Sequence, residues 1–79
     1  MDIKERVVEI IATTLGVDES SLSNHISIGD LPEWDSVGNL AIIASLEQEL
    51  QIEIPLEDLF ELTSVESIIE EVNKLKQDD

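Results

Sequence analysis

From Ile3 to Leu15 the apolar residues Ile3, Val7, Val8, Ile10, Ile11 and Leu15 recur every three or four positions. That spacing gathers them on one face of a helix over about residues 2–15, and Gly16 supplies its C-terminal stop. The next stretch, "VDESSLSNHISIGDLPEW", is rich in Ser, Asp, Gly and Pro and reads as a long loop. Val17, Leu22, Ile26 and Ile28 are its candidate anchors to the core. Val37, Leu40, Ile43, Leu46 and Leu50 restore the helical period and predict a second helix over about 36–51, capped by Asp35. "IEIP" alternates like a strand but has no partner segment, so it reads as a connection ending at Pro55. "LEDLFEL" predicts a short third helix over 56–62, with Leu56, Leu59, Phe60 and Leu62 turned inward. Thr63-Ser64-Val65-Glu66 fits a capping box, with Thr63 as cap and Glu66 reaching back. It opens a fourth helix over about 64–76 that carries Val65, Ile68, Ile69, Val72 and Leu75. Lys74 and Lys76 suit the negative end of that helix, and the last three residues, "QDD", are expected to fray. The fold expected is all-α: one domain, 1–79, a small four-helix bundle with a long first loop and a short third helix.

Charge sharpens this picture. The chain has 79 residues, with nineteen acids against four bases and a formal net charge of −15. Lys4, Arg6, Lys74 and Lys76 lie near the two ends, and between Val7 and Asn73 there are fifteen acids and no Lys or Arg. Such a body repels nucleic-acid phosphates and anionic lipid headgroups, and it attracts basic protein surfaces. High acidity can mark disorder, but 42% hydrophobic residues argue for a folded core. The apolar run Leu40–Ala44 is far too short to span a bilayer, and "MDIKERVVEI" is charged where a signal peptide would be apolar. With no cysteine there is no disulfide or thiolate metal site, which agrees with a cytoplasmic protein.

Little catalytic chemistry is on offer. His25 is the lone histidine and lies in the long loop. A triad of Ser36 and His25 with Asp30 or Asp35 has no motif spacing behind it, so a non-catalytic protein is expected. The segment from Asp18 lacks the alternating oxygen ligands, central glycine and closing Glu of a calcium loop. Glu57-Asp58 and Glu70-Glu71 read as solvated helix faces, and no glycine-rich phosphate loop is present. Ser36 stands apart by position. With Asp35 as cap it is the first helical residue, beside unpaired backbone N–H groups and the positive end of the helix dipole. A phosphate on its hydroxyl would sit in a favourable field. Asp-Ser is also a common helix start, and on its own the pair reads first as a plain cap.

The segment "LPEWDSVGNLAIIASLEQELQIEIP", Leu31 to Pro55, resembles the central part of acyl carrier proteins, which present Asp-Ser-Leu at the start of their second helix. Here the triplet is Asp35-Ser36-Val37. The likeness extends to the Leu-Gly ending of the first helix, the long loop, the short third helix and "TSVESIIEEV", and so covers nearly the whole chain. It implies that Ser36 receives 4′-phosphopantetheine, with Asp35 beside it, and that acyl groups ride as thioesters on the arm's thiol. It implies as partners a phosphopantetheinyl transferase and acyl-loading and acyl-transfer enzymes with basic docking surfaces. Trp34, Val37, Glu47, Glu49, Glu53 and Glu57 are the corresponding partner-facing positions, Trp34 either meeting a partner or anchoring the loop. An acyl pocket would involve Ile28, Leu46, Ile54, Leu59, Leu62 and Ile68. A monomer is expected.

The chain departs from the family where acidic residues often follow the serine, since Gly38, Asn39 and Ala41 stand there. Gly38 weakens a helix by up to ~1 kcal/mol relative to Ala. Those features resemble discrete carriers of specialised pathways, such as polyketide or surface-polysaccharide assembly, more than the carrier of fatty acid synthesis. The Gly-Gly-His-Ser or Gly-Gly-Asp-Ser core of peptidyl carriers is absent. Two alternatives stay open: a D-alanyl or other aminoacyl carrier of the same fold, and an acidic helical interaction module in which Asp35-Ser36 is only a cap.

Overall fold

The computed structural model describes residues 2–77; Met1, Asp78 and Asp79, including most of the tail expected to fray, lie outside the described residues. Three α-helices, α1 (Ile3–Leu15), α2 (Ser36–Leu50) and α3 (Val65–Gln77), form the frame. A six-residue 3₁₀ helix, Leu56–Glu61, is the short helix between α2 and α3, and a single 3₁₀ turn, Glu19–Ser21, interrupts the long loop. No strand occurs among the described residues, only an isolated antiparallel bridge between Ser27 and Ser64. No helix there is long and apolar enough to cross a membrane.

Local chemistry sets the helix ends. Asp2 accepts from the Glu5 N–H at 2.8 Å and starts α1. Gly16 ends it in the left-handed conformation (φ 73°), with its N–H donating to the Ala12 carbonyl. α2 stops one residue before the expected end, because Gln51 turns left-handed (φ 54°) as its cap. α1 packs against both α2 and α3. The core joins Val7 and Ile11 of α1, Ile42 and Leu46 of α2, and Val65, Ile68 and Val72 of α3. The loop is pinned as its pattern suggested. Leu22 is buried, and Val17, Ile26 and Ile28 pack partly buried against the core.

Two expectations need correction. The cap of α3 is Ser64, not Thr63. Ser64 Oγ accepts from the Ser67 N–H at 3.1 Å, and the Ser64 N–H donates back to Ser67 Oγ at 3.1 Å, so Ser67 takes the part assigned to Glu66. Thr63 instead pairs with the loop: its carbonyl accepts from the Ile28 N–H at 2.7 Å, while the Val65 N–H donates to the Ile26 carbonyl at 3.0 Å. These two bonds tie the long loop to the mouth of α3, and the tie moves the helix start by one residue.

The second correction concerns the short helix. Leu62 is buried and Leu59 half-buried, but Leu56 and Phe60 face solvent, 75% and 87% exposed. A 3₁₀ helix has three residues per turn, so Leu59 and Leu62 share a face while Phe60 stands a third of a turn away; Leu56 keeps the register of Leu59 but is the first residue of the helix, between the exposed Pro55 and Glu57. The inward assignment of Phe60 followed from an α-helical period that this segment does not have.

Candidate functional site

Ser36 is exposed at the first position of α2. The Asp35 carboxylate accepts from the Gly38 N–H at 2.8 Å, and the Asp35 carbonyl accepts from the Asn39 N–H at 2.8 Å. That leaves the Ser36 and Val37 N–H groups free of an internal acceptor among the described residues, pointing out of the positive end of the helix. The approach to Ser36 is equally defined. The Trp34 N–H donates to the Leu31 carbonyl at 3.0 Å, and the Gly29 N–H (φ 91°) to the Trp34 carbonyl at 2.9 Å. Asp30 accepts from both the N–H and the hydroxyl of Ser27.

Trp34 is completely buried, so of its two expected roles only the loop anchor fits; a partner cannot touch it. Its indole N–H donates to Asn39 Oδ1 at 2.9 Å, and Asn39 Nδ2 donates to the Leu62 carbonyl at 3.1 Å. One amide thus joins the loop, α2 and the end of the short helix. Gly38 has an equally local reason. A Cβ there would lie 2.5 Å from the Glu33 carbonyl oxygen and 3.2 Å from Leu15 Cδ2. Two of the three residues that depart from the family's acidic pattern, Gly38 and Asn39, are those the loop packs against, while Ala41 is exposed. Spacing along the helix gave no sign of either contact.

An apolar groove of about 320 Å³ opens beside Ser36. Its walls are Ile28 from the loop, Ser36, Asn39, Leu40 and Ile43 from α2, Leu56, Leu59 and Phe60 from the short helix, and Thr63. Of the six residues expected to form an acyl pocket, Ile28 and Leu59 line this groove. Leu46, Ile54, Leu62 and Ile68 are buried in the closed core. The series 36, 39, 40 and 43 on α2 was the available signal for the rest of the wall, since those positions share a helical face.

The acidic positions expected to meet partners are scattered. Asp35, Glu53 and Glu57 are exposed. Glu47 is half-buried, and its Oε2 accepts from the Ile54 N–H at 3.0 Å. It satisfies the "IEIP" backbone that no neighbouring strand pairs with. Glu49 turns to α1 and meets Arg6 at 3.4 Å, away from the groove, so it does not share a docking face with Ser36. His25 is exposed and hydrogen-bonds to neither Ser36 nor a carboxylate among the described residues. The Glu71 carboxyl is raised above its ordinary value, first by desolvation and then by Asp58. Its Oε2 is buried without a hydrogen-bond partner among the described residues.

A helical frame that presents an exposed serine at a free helix N-terminus, beside an apolar groove, defines a small carrier-type domain. The chain belongs to the phosphopantetheine-binding carrier family: the family model described as a phosphopantetheine attachment site matches residues 5–72, which is most of its length. The cofactor of the family is 4′-phosphopantetheine, held covalently, and a phosphopantetheinyl transferase attaches it. Domains of this family generally carry groups between partner enzymes and do not themselves catalyse. The open N–H groups at the start of α2 suit the phosphate of such a group.

Proposed function

We propose that this chain is a discrete acyl carrier protein and that Ser36 is its point of attachment. The observation that carries the reading is Ser36 itself: exposed, first in α2, and on the wall of the apolar groove. In the attachment step the Ser36 Oγ bonds to the phosphorus that bears the pantetheine of coenzyme A. The pyrophosphate bond breaks, adenosine 3′,5′-bisphosphate leaves, and the serine proton goes to solvent or to the transferase. Afterwards Asp35 holds the helix start, and the free N–H groups of Ser36 and Val37 lie close to the new phosphate. The arm supplies the thiol that this cysteine-free chain lacks. The protein's own part is to hold, orient and present, with no reaction step of its own, and Asp35, Glu53 and Glu57 draw in partners of basic character.

The cargo reading rests on packing. Leu59 stands in the groove wall, and Ile68 is buried with no exposed surface. A long chain could pass inward only by displacing them, and close-packed interiors resist that. Short, polar or aminoacyl cargo fits best, which keeps an aminoacyl carrier as the second reading. A specialised pathway agrees with the uncharged start of α2. The test is intact mass after incubation with coenzyme A and a phosphopantetheinyl transferase. The wild-type chain should gain one phosphopantetheinyl group and Ser36→Ala none, with the fold retained because Asp35 still caps α2. Uptake by Ser36→Ala would overturn the assignment, and no uptake by the wild type would leave the chain an acidic interaction module.

A further inference from the structure

Hydrogen bonds close a ring around Ser36. On the chain before it, the Trp34 N–H donates to the Leu31 carbonyl at 3.0 Å, and the Trp34 carbonyl accepts from the Gly29 N–H at 2.9 Å. On the chain after it, the Gly38 N–H donates to the Asp35 carboxylate and the Asn39 N–H to the Asp35 carbonyl, each at 2.8 Å. One side-chain bond joins the two halves: the Trp34 indole N–H donates to Asn39 Oδ1 at 2.9 Å, across Asp35, Ser36, Val37 and Gly38. Trp34 is completely buried and Asn39 half-buried, so water competes little for that bond. The same amide donates through Nδ2 to the Leu62 carbonyl at 3.1 Å, which fixes it against the end of the short helix. A helix start held by its cap alone frays; this one is clamped on both sides of an exposed serine.

We propose that Asn39 is a positioning residue for the attachment step: through its bond to Trp34 it holds the Asp35–Ser36 backbone in one direction, so that the Ser36 hydroxyl meets the transferase already oriented. The inference rests on the carrier reading and adds to it which side chain orients the serine. Asn39 acts through Trp34 and the backbone between them, and it does not touch the reacting atoms. A nucleophile held in place gives up less orientational freedom on the way to the transition state than one on a frayed turn, and small misplacements lower rates by large factors. Docking contacts elsewhere on the chain form whether or not the clamp is closed, so the effect falls on kcat and leaves KM. The clamp also gives an amide a purpose at this position. A carboxylate there would accept from the indole but could not donate to Leu62.

The test follows attachment by a phosphopantetheinyl transferase with coenzyme A, at a temperature where circular dichroism shows each variant folded. Trp34→Phe keeps a buried ring but removes the indole donor, and Asn39→Leu removes the acceptor. Each should lower kcat about tenfold with KM little changed. The double variant should lose no more than the worse single one, because both changes break the same bond. Asn39→Asp keeps an oxygen for the indole but cannot donate to Leu62, so it should recover most of kcat while staying less stable than the wild type. A role in stability alone would not separate those two readouts. The chain has one tryptophan, so one indole N–H resonance reports the bond; it should exchange with solvent more slowly in the wild type and Asn39→Asp than in Asn39→Leu. Wild-type kcat in both Trp34→Phe and Asn39→Leu would overturn the inference. So would losses of kcat that follow stability across the set, or losses confined to KM. Should Asn39→Leu fail to fold, Trp34→Phe decides the question by its kcat and KM. If the wild-type chain takes no arm, the carrier reading itself fails; if it does and the folded variants match it, only the positioning role fails.

Discussion

Replacing Gly38 by Ala should destabilise this protein, against the usual expectation for a helical glycine. Ala is favoured over Gly in a helix interior by up to ~1 kcal/mol. Gly38 lies in the first turn of α2, where its N–H bonds to the Asp35 side chain, so only part of that gain is available. The added Cβ would lie 2.5 Å from the Glu33 carbonyl oxygen, whereas ordinary contact begins at 3.4 Å. The Glu33–Asp35 backbone must therefore withdraw by roughly 0.9 Å, the difference between those two distances. It is not free to do so, because Trp34 is held by backbone bonds on both its N–H and its carbonyl and by its buried ring. Overpacking of this kind costs about 1–3 kcal/mol, which outweighs the propensity gain. A net loss of about 1 kcal/mol lowers the Tm of a domain this size by roughly 4–8 °C. Thermal unfolding followed by circular dichroism reads it directly. A Tm equal to or above that of the wild type would refute the reasoning and show that the loop yields easily.

Three further outcomes follow from the geometry. Asn39→Leu leaves the buried Trp34 indole N–H and the Leu62 carbonyl without their partner, a loss of about 1–3 kcal/mol visible in urea unfolding followed by Trp34 fluorescence; wild-type stability would sink the bridging role. Glu71 has a carboxyl raised by desolvation and by Asp58, so its stabilising effect is full below its unfolded-state value and is lost as pH rises through the folded one. Glu71→Gln should therefore raise Tm near neutral pH and lose that advantage toward about pH 3, where the acid is protonated in both states; an equal gain at both pH values would contradict the assignment. Loading a series of chain lengths onto the Ser36-bound arm should give little rise in Tm beyond short chains in the wild type and a larger rise in Leu59→Ala, whereas a steady rise in the wild type through long chains would remove the packing argument.

What the sequence by itself determined was local. The three main helices follow from apolar residues at a 3.6 period and from caps that act over three or four residues, such as Asp2 on Glu5 and Asp35 on Gly38. Ser36 at a helix start was legible for the same reason, since a cap and the residue after it are neighbours in the chain. The tertiary structure decided how separate segments meet. Asn39 looked like a lost charge until Trp34 and Leu62 were seen to converge on its amide. Gly38 looked like a weak helical residue until the Glu33 carbonyl was found where a Cβ would stand. Glu47 and Glu49 both read as docking acids, yet one holds the Ile54 N–H and the other turns to Arg6. Each of these outcomes depends on the placing of the loop, the short helix or α1 against α2. Residues on one helix keep fixed angles to each other whatever surrounds them, but which angle faces a neighbour is settled only when the helices pack.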